Sequence, residues 1–479
     1  MINRNFHRLL KPGYKLAAVV LCIVLLISGC RTDFPPLEES LSDPLVSDDS
    51  TGSHSDSTGT SGETTNGPSG TTSTIGTTAD ESAGSNTTTN SESETTTSSH
   101  TTTGTTPSTT PTPDPGGYTP LNYGTMKACW LSQFDMLSIY KVNGRQRDKA
   151  DFTRRVEQIF DNLRSRAINT VIVQVRPYAD SFYPSEYYPW SNYVTGSHKT
   201  EGTYDPLAIM VEAAHARGLS IHAWVNPMRG MTETQIADVG SQYPIRQWYD
   251  AKRGKYIVLS GGRWYLEPAY PEVRKLIADG IAEIVRNYDI DGIHIDDYFY
   301  PTTPGNFHKS YENTNAMVRE IYQAIKAIDS RVLFGVSPAG NVNNNLTMYY
   351  ADVNEWCSKI GYMDYICPQV YWGMEHATHD FVKISRQWDQ MIQPSSGIKL
   401  VIGMTLEKAS KRPAYEPEWG KHQDVIKRCM ESLDSLNNCT GVALFSYQFL
   451  FDPLTGAANS STKAEVNNFL SILQNMNFG

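Results

Sequence analysis

The stretch DIDGIHIDDYFYP, residues 289–301, sets Asp291, Asp296 and Asp297 around His294, with Tyr298, Phe299 and Tyr300 behind them. A short apolar run that ends in adjacent carboxylates offers a nucleophile, a base or an acid at a polar bond. Hydrolysis of a glycosidic bond needs two such groups, one on each side of the scissile oxygen. One acidic strand end is half of that machinery, so the rest must come from elsewhere in the chain.

The elements that could supply it recur from Tyr118 onward, where short β-branched or aromatic runs alternate with helical periods. Strands are predicted at 127–134, 169–177, 220–227, 291–297, 332–338, 365–372, 399–407 and 441–449. Helices are predicted at about 150–166, 205–218, 271–287, 311–328, 352–360, 379–392, 419–435 and 462–475. Pro206 and Pro271 fall in first helical turns, and Gly218 and Gly361 stand where helices should stop. Eight strand–helix repeats imply a (β/α)8 TIM barrel over 118–479, with 228–269 inserted after the third strand and a hairpin at 255–268.

In such a barrel alternate strand residues face the axis, and the site lies at the carboxyl ends of the strands. Ile293 and Ile295 must face the helices, so His294 and Asp296 face inward, and Asp297 begins the loop. The same alternation puts Gln174 and Arg176 inside on the second strand, with Asp180 just beyond. His222, Trp224 and Asn226 point inward on the third, with Arg229 following. The sixth strand offers Gln369 and Tyr371, with Trp372 at its end, and Glu407 ends the seventh.

So many polar and aromatic groups at one end of a barrel point to a ligand-binding mouth, because burying them unpaired is costly. Aromatic faces stack on sugar rings, while Asn, Gln, Arg and Asp grip hydroxyls, and Tyr298 joins this set. Three chemistries fit: glycoside hydrolysis, a metal hydrolase built on His222, His294, Asp296 and Asp180, and a carbohydrate-binding barrel without catalysis. The first strand, ACWLSQFD (128–135), lacks the His-x-His with which barrel metallohydrolases usually open, so neither a metal nor another cofactor is expected. As a glycosidase, the chain would use Asp296 as nucleophile or base. Asp297 would position it or act as a second catalytic carboxyl, and Glu407 is the next candidate for the general acid.

The opening motif resembles the fourth-strand signature of family 18 chitinases, but Tyr298 stands where their catalytic glutamate would fall. A longer series matches better. ACWLSQFD, VIVQVRPYADSFYPSEYYPWS (171–191), YDPLAIMVEAAHARGLSIHAWVNPMR (204–229), YDIDGIHIDDYFYP (288–301), FGVSPAG (334–340) and ICPQVYW (366–372) resemble, in order, the glycosyl-hydrolase-like 10 family of bacterial envelope proteins. That resemblance implies a (β/α)8 barrel, hydrolysis of glycans, and peptidoglycan strands as the favoured substrate. GMTLEKASKR (403–412), which bears Glu407, departs from the family pattern.

The chain has 479 residues and a formal net charge of −10, which argues against a nucleic-acid partner. A basic start, the apolar run LAAVVLCIVLLI (16–27) and ISGC (27–30) read as a lipoprotein signal over 1–29 with Cys30 as the lipidated residue, the alternative being an uncleaved anchor. Residues 30–117, rich in Thr, Ser and Gly, read as a disordered linker of about 50 Å mean span. A lipid-anchored monomer on the outer side of a cell membrane is the expectation. The five cysteines beyond Cys30 match no zinc spacing and read as buried thiols, with one bridge left open.

Overall fold

The computed structural model describes residues 117–251 and 254–478. The signal segment, Cys30 and the linker as far as residue 116 lie outside the described residues. Eight parallel strands close into a barrel: β1 (Met126–Leu131), β2 (Thr170–Arg176), β3 (Ser220–Val225), β4 (Gly292–Ile295), β5 (Leu333–Val336), β6 (Tyr365–Ile366), β7 (Lys399–Thr405) and β8 (Cys439–Phe445). Each pairs with its sequence neighbours, and β8 closes on β1 through Met126–Cys129 and Gly441–Leu444. The connecting helices include α1 (Lys149–Ser165), α2 (Pro206–His215), α3 (Pro271–Asn287), α4 (Tyr311–Ile328), α5 (Val353–Ser358), α6 (Phe381–Met391), α7 (Val425–Glu431) and α8 (Lys463–Asn475). The (β/α)8 barrel expected from the sequence is the observed fold.

Its cause is the period-two pattern. Val171, Val173 and Val175 on β2 and Ile293 and Ile295 on β4 are fully buried in the core shared with the helices. Ala128, Trp130, Ile172, Trp224, Tyr365, Cys367, Val401 and Ala443 form a separate cluster that fills the barrel interior.

Several boundaries differ from expectation, each for a local reason. β1 ends at Leu131 rather than 134, because Ser132 and Asp135 form a capping box that starts a helix over Gln133–Tyr140. The sixth strand shrinks to two residues: Pro368 has no N–H to give a neighbour, and Gln369 makes only isolated bridges to Ala339 and Gly403. The helix expected at 419–435 breaks into Glu418–Lys421, Val425–Glu431 and a 3-10 turn at Ser432–Ser435. The insertion is a three-stranded antiparallel sheet with Arg263–Leu266 at its centre, between Arg229–Thr232 and Ile257–Ser260. Gly261 and Gly262, with φ of +55° and +77°, make its two-residue turn. Cys129, Cys357, Cys367, Cys429 and Cys439 are all buried free thiols.

Asp291, the first acid of the opening motif, lies just before β4, at the amino-terminal end of the barrel. It is fully buried and accepts from Tyr118 Oη at 2.5 Å, Leu121 N at 2.6 Å and Ile221 N at 2.7 Å, with His215 Nε2 at 3.1 Å. It therefore clasps the chain where it enters the barrel. Deleting 31–116 should leave the melting temperature unchanged. Extending the deletion through Asn122 removes the Tyr118 and Leu121 donors from a buried carboxylate and should lower it by roughly 5 °C or more, as read by calorimetry.

Candidate functional site

Asp296 is the residue after β4, and it is 3% exposed. Its Oδ2 accepts from Trp224 Nε1 at 3.0 Å and from Asn226 Nδ2 at 2.9 Å, both at the carboxyl end of β3. Its Oδ1 accepts from Tyr298 N at 3.2 Å. Asn226 is in turn oriented by Gln174 Nε2 on β2, 2.9 Å from Asn226 Oδ1, and Gln174 Oε1 accepts from Gln133 N at 2.8 Å. Three strands and a helix start thus fix one carboxylate.

Asp297 is partly exposed beside it. Alternation along an extended strand would turn the two side chains apart, but β4 ends at Ile295 and the backbone bends at Asp297. Asp297 Oδ1 accepts from Gln369 Nε2 at 3.1 Å, and that amide also reaches Ser337 O at 3.3 Å. Burial first, and then the charge of Asp297, push the Asp296 carboxyl well above the usual carboxylate range. Burial raises Asp297 as well, against the pull of Gln369. The pair therefore retains a proton where ordinary carboxylates have lost theirs.

Around the pair, the Arg229 guanidinium lies 4.2 Å from the Tyr298 ring centre and 4.7 Å from that of Tyr178, and its charge acts on both carboxyls. Tyr371 packs on Phe445 at 5.9 Å and feels the charges of Asp297, Glu407 and Asp296, while burial pushes its hydroxyl well up. Trp372 stacks on His379, 4.9 Å between ring centres.

Other residues expected at the mouth lie elsewhere. His222 and His294 do face inward, but one layer down and fully buried, where no sugar reaches. Trp130 Nε1 donates to His294 Nε2 at 3.3 Å, and Tyr365 Oη lies 2.9 Å from Nδ1 of both histidines. The indole can only donate, so His294 carries its proton on Nδ1 and gives it to Tyr365, which gives its own to His222. Burial keeps both rings neutral, lowering His222 to about 4 and His294 well below its ordinary value. Gly292 and Gly335 make room for this stack, since a Cβ at either would strike the His222 or Tyr365 ring.

Arg176 is a second correction. The β2–β3 register slips between Gln174 and Arg176, and this bulge turns the guanidinium outward over Tyr188, 4.3 Å from its ring centre and against Gly280 of α3. Asp180 is fully buried in the following loop, accepts from Tyr178 N at 3.0 Å and feels the charge of His198. Glu407 starts the helix Glu407–Lys411 instead of ending β7, and it pairs with Lys411 at 2.5 Å. His222, His294, Asp296 and Asp180 thus lie at different depths. Among the described residues no three His, Cys, Asp or Glu side chains converge to hold a metal ion.

Sequence reasoning missed Gln133, Tyr365 and Arg263. The Ser-x-x-Asp cap at 132–135 could have revealed the first, because it places Gln133 at a helix start directly above β1. Arg263 follows the Gly261–Gly262 turn of the insertion, and its guanidinium lies 4.2 Å from the Tyr178 ring centre.

The profile of a family described as Glycosyl hydrolase-like 10 matches residues 125–313 and 308–421. The chain is 30% identical over 380 residues to "Glycosyl hydrolase DigH" of Escherichia coli (strain K12), covering 70% of this chain and 86% of that protein. It is 32% identical over 307 residues to "Glycosyl hydrolase YngK" of Bacillus subtilis (strain 168), covering 57% of this chain and 58% of that protein. Among solved structures, the PgaB glycoside hydrolase domain from Bordetella bronchiseptica aligns with a TM-score of 0.44 at 12% identity, covering 68% of this chain and 95% of that domain.

The raised carboxyls give a signed expectation. A group whose folded-state pKa exceeds its unfolded value of about 3.9 stabilises the fold below that value, and the contribution is lost as pH rises through the folded-state pKa. Asp297→Asn keeps the acceptor for Gln369 and removes the charge. It should melt higher than the wild type near neutral pH, with the gain vanishing below roughly pH 4. Melting curves across that range check it; an equal difference at every pH contradicts it.

Proposed function

Because the chain belongs to the glycosyl hydrolase-like 10 family, we propose that this glycosidase cleaves an envelope or extracellular polysaccharide, peptidoglycan glycan strands being the favoured substrate, with Asp296 and Asp297 as its catalytic carboxyls. The observation that carries the reading is the proton-retaining pair at the end of β4, held by Trp224, Asn226, Tyr298 N and Gln369. Three donors aimed at Asp296 partly offset the burial that raises it, so that its anion, once the shared proton has left, is held for attack on carbon or for taking a proton from water. Asp297 has one donor on Oδ1 and is partly exposed, which suits proton delivery to the leaving oxygen. Trp372 and Tyr371 supply aromatic faces for neighbouring sugars, and Asn226 and Gln174 are positioning residues. Glu407, neutralised by Lys411, is assigned no proton transfer.

The same reading anchors the protein to the outer side of a membrane through lipid on Cys30, the sequence from the basic start to ISGC being its support.

Asp296→Asn should reduce cleavage of purified glycan strands roughly a thousandfold while leaving binding intact, because asparagine can neither attack carbon nor take a proton from water. Product sizing after digestion is the assay. Full activity in the variant, or no products from the wild type, would sink the reading, the latter in favour of a binding barrel. For the anchor, Cys30→Ser should release the protein from the membrane fraction and abolish lipid labelling; retention with unchanged labelling refutes it.

A further inference from the structure

We propose that the attacking group in this reaction is the substrate's own 2-acetamido oxygen, and that Asp296 acts by holding the N–H of that group. The sugar whose anomeric bond is cleaved is then a 2-acetamido sugar. This rests on the glycosidase reading and narrows what Asp296 does within it.

A carboxylate that attacks an anomeric carbon needs an oxygen open toward it. Asp296 is 3% exposed, and both of its oxygens are already engaged. Oδ2 accepts from Trp224 Nε1 and Asn226 Nδ2, and Oδ1 accepts from Tyr298 N. Each of these bonds draws charge off the carboxylate and weakens it as a nucleophile. An ionised carboxyl offers about four acceptor sites, so Oδ1 still has room for one more donor. The buried Trp224 indole lies against the same carboxylate and gives it an apolar neighbour. A group that presents one N–H with a methyl beside it suits both features. In a trans amide the N–H and the carbonyl oxygen point to opposite sides. An acetamido N–H held by Asp296 therefore turns its oxygen back toward the sugar that carries it.

Other carboxyls are committed elsewhere. Asp180 is fully buried in the loop after β2, Glu267 is fully buried against Tyr300 Oη and His308 N, and Glu407 is paired with Lys411. The charges that bear on Asp296 are those of Asp297 and Arg229. With Asp297 delivering the proton, the chain has no free carboxylate left to attack, and the substrate must supply the nucleophile. An acetamido oxygen within the same sugar has the rate advantage of an intramolecular reaction, and such assistance replaces the second carboxylate.

The shared proton follows the same geometry. Burial and the charge of Asp297 favour it on Asp296. An acetamido N–H arriving at Oδ1 is a further donor, which favours the Asp296 anion and moves the proton to Asp297. In the first step the Asp297 O–H proton goes to the glycosidic oxygen as its bond to the anomeric carbon breaks. The acetamido oxygen forms the new bond to that carbon, and the N–H proton passes to Asp296, which leaves a neutral oxazoline. In the second step water attacks the anomeric carbon and gives its proton to Asp297. The oxazoline bond to that carbon breaks, and Asp296 returns its proton to nitrogen. Two displacements at one carbon retain its configuration.

The test gives full-length protein purified glycan strands that have been N-deacetylated and then re-acylated with acetyl, fluoroacetyl, difluoroacetyl or trifluoroacetyl groups. Fluorine weakens the carbonyl oxygen as a nucleophile and leaves the sugar ring unchanged. Cleavage by the wild type should slow along the series, by about a hundredfold or more at trifluoroacetyl. Magnetic resonance should show the retained anomer at the newly formed ends. A flat series or the inverted anomer overturns the proposal. Azide gives an independent check: added to Asp296→Ala it should form no glycosyl azide. A glycosyl azide of inverted configuration would show that Asp296 is itself the attacking group. The wild-type series decides whether or not that variant folds. No products from any strand, the re-acetylated one included, refutes the glycosidase reading and the proposal with it. Cleavage with a flat series removes the proposal alone.

Discussion

Two carboxyl groups on consecutive residues cannot both ionise in a nearly dry site without strong repulsion. Here that conflict is built in at the end of β4 and held by its surroundings. Trp224 and Asn226 come from β3, and Gln174 on β2 orients Asn226. Gln369, past the short β6, takes the other carboxyl. The barrel can bring these groups to one point because parallel strands all end at the same face. A bend at Asp297, two residues past the end of β4, breaks the alternation that would turn it to the opposite side of the strand.

Beneath the dyad the interior is polar where branched aliphatics usually pack. Trp130, His294, Tyr365 and His222 form one directional chain of hydrogen bonds, made possible by two inward glycines. Such a stack fixes rotamers more sharply than aliphatic packing does, because the hydrogen bonds that join its rings are directional. It gives the floor under Asp296 a defined shape. The dyad and its floor come from the barrel itself, while the arginines beside the dyad come from the inserted sheet.

Most of the architecture was legible in the sequence. The alternation on β2, β3 and β4 placed Gln174, Trp224, Asn226 and Asp296 on the inner face, where they lie. It said nothing of depth along the axis, so His222 and His294 were grouped with the mouth although they sit a layer below it. It also failed wherever the period itself is interrupted. The bulge before Arg176 reversed that side chain, Pro368 cut the sixth strand short, and the cap at Ser132 ended the first strand early. Asp291 could not be separated from Asp296 by residue type. Only its position before β4 makes it a clasp at the opposite end of the barrel.

The central claim is that Asp296 and Asp297 behave as one titrating pair that holds a proton above the ordinary carboxylate range. Magnetic resonance of isotope-labelled aspartate carboxyl carbons, followed through a pH titration, reads this directly. The account predicts that the pair titrates in two separated steps, the upper one well above the ordinary value of about 3.9, and that Asp297→Asn collapses them to one. Two independent titrations near that ordinary value, unchanged by the substitution, would contradict it.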